Sequence, residues 1–205
     1  MHGALLYIHG KGGSSHEAEQ YKPLCIDCDV YGLDFDDFTP WGTREFILNE
    51  FKKIHSRHEK IFVLANSIGA YFSMLALQHC NVERAFFVSP ILDMESLILG
   101  MMKLSGVTEH ELSERVEIKT DYGETLSWKY LCYVRDNPVK WNVPTEILYG
   151  ENDNLTSHET VKNFVRTHNA KLTVMKDGEH WFHTPEQMKF LYEWFKSKMK
   201  AERKE

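Results

Sequence analysis

The chain has 205 residues, enough for one domain with a full hydrophobic core and too few for two large ones. A formal net charge of −6 argues against a nucleic-acid binder, which needs a basic face, and 42% hydrophobic with 26% charged residues excludes a disordered chain. No apolar run reaches the roughly 18 residues of a membrane span, the longest candidate, residues 91–102, being broken by Asp93 and Glu95. The N-terminus enters Ala4-Leu5-Leu6-Tyr7-Ile8 without a basic lead-in or a cleavage site, so no secretory signal is read and the cytoplasm is the expected compartment.

Short apolar runs alternate with helical patterns along the chain, the order of an α/β fold, and no fixed-period repeat is present. Residues 4–8 read as the first strand and lead into His9-Gly10-Lys11-Gly12-Gly13-Ser14-Ser15, a loop whose glycines let backbone approach a substrate closely. It lacks the P-loop spacing and GxGxxG, so nucleotide binding is not expected. Residues 24–31 form the second expected strand and carry Cys25 and Cys28. That CxxC spacing has no second ligand pair and no helix start, so all four cysteines are expected to be reduced and to hold no metal. A helix over 42–58 and a strand over 60–66 follow, the run Ile61-Phe62-Val63-Leu64-Ala65 being apolar throughout, as in a parallel strand covered on both faces. Residues 68–80 read as a helix and 84–89 as the fourth strand.

Residues 91–144 separate the fourth and fifth strands by far more than an ordinary crossover, and read as a cap or lid insertion within the single domain. Met94, Leu97, Ile98, Met101 and Met102 recur at helical spacing, a stripe that suits core packing or a pocket lining equally. Asp121-Tyr122-Gly123 carries a hairpin-like turn, and Trp128, Tyr130, Tyr133 and Trp141 suit cap packing or a partner surface. The fifth strand is expected at 145–149. Thr156 with Glu159 has capping-box spacing at the start of a helix through Val161, Phe164 and Val165. The sixth strand is expected at 171–175, and Thr184-Pro185-Glu186-Gln187 opens the last helix, whose charged end, residues 196–205, reads as solvated and fraying.

The most informative segment is Ala65-Asn66-Ser67-Ile68-Gly69, a serine between strand and helix with small residues at both second neighbours. A turn this tight lifts the hydroxyl clear of the backbone, and the helix N-terminus aims free amides, that of Ile68 first, at developing negative charge. A second amide donor is available from the backbone of the glycine-rich loop His9 to Ser15. Serine needs a neutral imidazole to take its proton and a carboxylate to orient that imidazole. Asp153 follows the fifth strand and His180 the sixth, at the strand ends where α/β sites form. Rivals are His183, beside the Thr184 cap, and the acids Asp93 and Glu151.

Together these segments resemble the α/β-hydrolase superfamily, in particular its small serine esterases. Ala65 stands where that pattern has glycine, one methyl group more at a crowded position. The resemblance implies a mostly parallel sheet of about six strands flanked by helices, lacking the two leading strands of the eight-stranded family sheet. It further implies a Ser67, His180, Asp153 triad with Lys11 and Ile68 as oxyanion donors, and residues 91–144 fall at the family's variable cap.

The function expected is hydrolysis of a small acyl substrate, first a carboxylic ester, in a pocket with Trp181, Phe182 and Met101 on its walls and with no metal or organic cofactor. Alternatives on the same scaffold are a thioesterase, a non-hydrolytic lyase or a catalytically silent binding protein. The sequence expresses no preference for an oligomeric state.

Overall fold

The computed structural model describes residues 3–201. Their packing divides into two units, one up to Leu92 and from Lys140 onward, the other over Asp93–Val139.

The first unit begins with β1 (Gly3–Ile8), a 3-10 helix (Ser15–Leu24), β2 (Cys28–Leu33), α1 (Pro40–His55), β3 (Ile61–Asn66), α2 (Ile68–Leu77) and β4 (Arg84–Val88). The second unit holds α3 (Met94–Leu104), α4 (Glu109–Arg115), β5 (Glu117–Lys119), β6 (Thr125–Ser127) and α5 (Trp128–Asp136). The first unit resumes with β7 (Thr145–Gly150), α6 (His158–Thr167), β8 (Ala170–Met175) and α7 (Pro185–Ala201).

Its six strands form one parallel sheet in the order β2-β1-β3-β4-β7-β8. Residues Ala4 to Ile8 and Ile61 to Ala65 are buried along their whole length, which a parallel sheet with helices on both faces requires. Strand alternation sends Leu5, Tyr7, Phe62, Leu64, Phe86 and Val88 into one core with the 3-10 helix and α7. The alternate residues Leu6, Ile8, Val63, Ala65 and Phe87 are buried as well, on the face where α2 packs on β1 and β3 and α1 packs on α2. The chain order reverses between β1 and β3, and in open α/β sheets such a switch point opens a crevice beyond the strand ends.

The second strand starts later than expected. Leu24 closes the 3-10 helix around Pro23, Cys25 to Asp27 turn, and only Cys28 enters β2, so the CxxC pair spans a turn and a strand end. An edge strand half open to solvent needs no continuous apolar run, which is why its boundary is faint in the sequence. Cys25 is buried, and burial with Cys28 alongside pushes its thiol up to about 12.

The α6 cap is Ser157, whose Oγ accepts from the Thr160 amide, whereas Thr156 Oγ1 donates to Pro90 O at 2.9 Å inside the core. At α7 the Thr184 Oγ1 accepts from the Gln187 amide at 3.2 Å, while the Gln187 side chain accepts from the His183 amide, one residue before the cap. Trp141 belongs to the first unit, buried against Phe87 with its indole N–H donated to Thr145 Oγ1 at 2.8 Å.

Within the second unit, Leu112, Leu126 and Leu131 are buried, and β5 pairs with β6 across a turn that places Gly123 at φ +87°. Arg135 binds Glu95 at 2.7 Å and Glu109 in a two-pronged pair, joining α5 to α3 and α4. Of the stripe on α3, Met94, Ile98 and Met102 are buried and Met101 half-buried. No helix among the described residues is long and apolar enough to cross a membrane. Residues 196–201 continue α7, and 202–205 lie outside the described residues.

Candidate active site

Ser67 sits between β3 and α2 at φ 51° and ψ −122°, a left-handed conformation that costs a non-glycine residue energy and persists only when its surroundings enforce it. Three backbone bonds do so: its amide donates to Val88 O, and its carbonyl accepts from Ala70 and Ile91. Two residues on, Gly69 lies so close to β1 that an added Cβ would stand 2.5 Å from Ile8 O and 2.7 Å from His9 O. Backbone cannot yield like a flexible side chain, so Gly69→Ala is expected to lower stability by about 2 kcal/mol, a fall in Tm of roughly 5 °C in thermal unfolding. An unchanged Tm would mean that helix and strand separate freely here. Two residues before the serine, Ala65 is accommodated within β3, fully buried.

Asp153 and His180 come from the loops after β7 and β8, held backbone to backbone. The Asn152 amide donates to Gly178 O at 2.8 Å, and a Cβ on Gly150 would collide with the carbonyls of Gly178 and Glu179. Asp153 Oδ1 accepts from the amides of Leu155 and Thr156 at 2.9 and 3.0 Å, while Oδ2 meets His180 Nδ1 at 2.7 Å. The other ring nitrogen, Nε2, lies 2.9 Å from Ser67 Oγ. The Asp153 side chain is fully buried and that of His180 only 14% exposed. A carboxylate only accepts, so Nδ1 carries the ring proton and Nε2 is left to accept from the serine hydroxyl. Burial, with the Asp153 charge beside it, raises the Tyr149 hydroxyl above its ordinary pKa, and that hydroxyl donates to Thr156 O at 2.8 Å, bracing the acid loop.

The rival groups are engaged elsewhere. Asp93 caps α3 through the Ser96 amide, Glu151 Oε2 accepts from the Asp177 amide, and His183 stacks on Trp181 with Nδ1 2.7 Å from Trp181 O. No group of three or more His, Cys, Asp or Glu among the described residues could hold a metal ion.

Ile68 is the first residue of α2, where an amide has no partner within the helix, and Lys11 lies in the loop after β1. Gly10 brings that loop against the elbow: a Cβ there would sit 3.2 Å from Ser67 Cβ. Ser67, His180 and Lys11 open on a cavity of about 720 Å³ whose walls include Trp181, Phe182 and Leu191. Trp181 is 73% exposed, and Phe182 is buried in the core. Met101 lies in the second unit, on α3. The cavity also touches Glu17, Tyr21 and Asn66, which the sequence reading did not single out. For Glu17 a signal exists, since Ser14-x-x-Glu17 has capping-box spacing and the Ser14 amide donates to Glu17 Oε1 at 3.2 Å.

No family model and no curated protein matches the sequence. Among solved structures the chain is similar to Est1E from Butyrivibrio proteoclasticus, with 20% identity, a TM-score of 0.75, and 99% of this chain and 89% of that one covered. It is similar to alpha/beta hydrolase domain-containing protein 10 from mouse, with 12% identity, a TM-score of 0.77, and coverage of 97% and 90%. It is similar also to a marine microorganism esterase, with 16% identity, a TM-score of 0.59, and coverage of 95% and 94%. The chain has the α/β-hydrolase fold, with a sheet of six strands.

Proposed function

We propose that the protein is a serine hydrolase that cleaves a carboxylic ester or a related acyl substrate. One observation carries the reading: the hydrogen-bonded line from Ser67 Oγ through His180 to buried Asp153, at 2.9 and 2.7 Å. Ser67 Oγ attacks the carbonyl carbon as His180 Nε2 takes its proton, and Asp153 stabilises the imidazolium. The amides of Ile68 and Lys11 receive the oxyanion, a type of donor whose removal costs about 100- to 1000-fold in rate. His180 then gives its proton to the leaving alcohol, and activates the water that releases the acid from the acyl-enzyme. These steps call for no metal or organic cofactor. Trp181 and Phe182 suit an apolar portion of the substrate. The free thiols suit a reducing compartment, and the cytoplasm is the location proposed.

The test is hydrolysis of a chain-length series of p-nitrophenyl esters by wild type, Ser67→Ala and His180→Ala, with folding checked by circular dichroism. Wild-type turnover that falls by about 10⁴-fold or more in both folded variants is expected. A fluorophosphonate probe separates the alternatives. Labelling at Ser67 without ester turnover would indicate a lyase or another acyl substrate, and no labelling a binding protein.

A further inference from the structure

Beneath the elbow and the glycine-rich loop runs a chain of polar side chains that the proposed acyl transfer does not use. Asn66, next to the nucleophile, donates its Nδ2–H to Tyr7 Oη at 2.7 Å, and Tyr7 Oη donates to Glu17 Oε2. The other Glu17 oxygen accepts from the Ser14 amide and lies under the loop so closely that a Cβ on Gly13 would stand 2.7 Å from it. The Gly13 amide in turn donates to Gly10 O, closing the turn that carries Lys11. One end of the chain thus grips the residue before Ser67, and the other grips the loop that presents the Lys11 amide. Tyr7 is fully buried on β1, and burial raises its hydroxyl far above the ordinary tyrosine value, which keeps it a donor to the carboxylate.

We infer that Tyr7 and Glu17 are positioning residues that fix the distance between the nucleophile and the oxyanion loop. The inference rests on the serine hydrolase reading, because it concerns where that reading's two halves stand. Oxyanion stabilisation depends on donors held within a few tenths of an ångström of their productive place, so loosening the tie harms the transition state more than the bound substrate. Tyr7→Phe keeps the ring and removes the shared hydroxyl. Glu17→Gln keeps the shape but offers one acceptor oxygen to two donors.

The experiment measures kcat and KM on the best p-nitrophenyl ester, together with the rate of Ser67 phosphonylation, for wild type, Tyr7→Phe, Glu17→Gln and the double variant. Tyr31→Phe serves as control, since its hydroxyl meets His58 Nε2 at 3.0 Å on the edge strand β2, outside the cavity. The expected result is a fall of about tenfold in kcat and in phosphonylation rate for each single variant, with KM little changed. The double variant is expected to be no worse than either, as for two links of one chain. Tyr31→Phe is expected to lower Tm and leave kcat unchanged. Folded Tyr7→Phe and Glu17→Gln that label and turn over like wild type would overturn the inference while leaving the hydrolase reading intact. Wild type that does not label at Ser67 would remove that reading and the inference with it.

Discussion

Asp153→Asn is expected to lower kcat by about 10⁴-fold while the protein stays folded. The Leu155 and Thr156 amides both point at Oδ1, so the new side chain must set its only oxygen there and turn its NH₂ toward the imidazole. A donor facing Nδ1 forces the ring proton onto Nε2, the nitrogen 2.9 Å from Ser67 Oγ. That nitrogen then donates to the serine and cannot take its proton. The two backbone bonds survive, so secondary structure and Tm change little. Steady-state kinetics on the ester series with circular dichroism reads both quantities, and activity within tenfold of wild type would show that Asp153 is not the group orienting His180.

Phe195→Ala is expected to destabilise the fold by about 3–5 kcal/mol. The ring is fully buried on α7, 5.3 Å from the Tyr21 ring and 5.1 Å from that of Phe86, centroid to centroid, so its loss leaves a cavity between helix, sheet and the 3-10 helix. Aromatic pairs in edge-to-face contact add to the burial energy, and a rigid sheet on one side limits collapse into the void. Thermal unfolding should register a fall of roughly 10 °C in a chain of this length. Turnover per folded molecule, measured well below the new Tm, should change less than tenfold, because Asp153 and His180 are held by the β7 and β8 loops and not by this ring. A loss under about 1 kcal/mol would mean that α7 can close the gap.

The central strands were legible because burial on both faces leaves a mark at every residue, as in Ile61 to Ala65. The edge strand β2 was legible only as to its presence and not its bounds, since exposed Asp29 and half-buried Tyr31 carry no such mark, and the 3-10 helix before it went unread although Ser14 and Glu17 announce it. Thr156 and Ser157 show a limit of local rules. Both can cap a helix, and the choice fell to Ser157 because Thr156 is claimed by Asp153 Oδ1 through its amide and by Pro90 O through its hydroxyl.

Sequence by itself determined the residue types, their order and their places at strand ends: a serine in a tight turn that only small neighbours fit, then an aspartate, then a histidine. These are local properties, written in neighbours one to four residues apart. That Ser67 and His180, 113 positions apart, stand within hydrogen-bond distance was decided by the tertiary structure, because a parallel sheet collects its strand ends along one edge whatever their separation in the chain. The tie from Asn66 through Tyr7 to Glu17 was decided there as well. It joins residues 59 positions apart across adjacent strands, and a tyrosine within an apolar run looks like core until the fold brings a carboxylate to its hydroxyl.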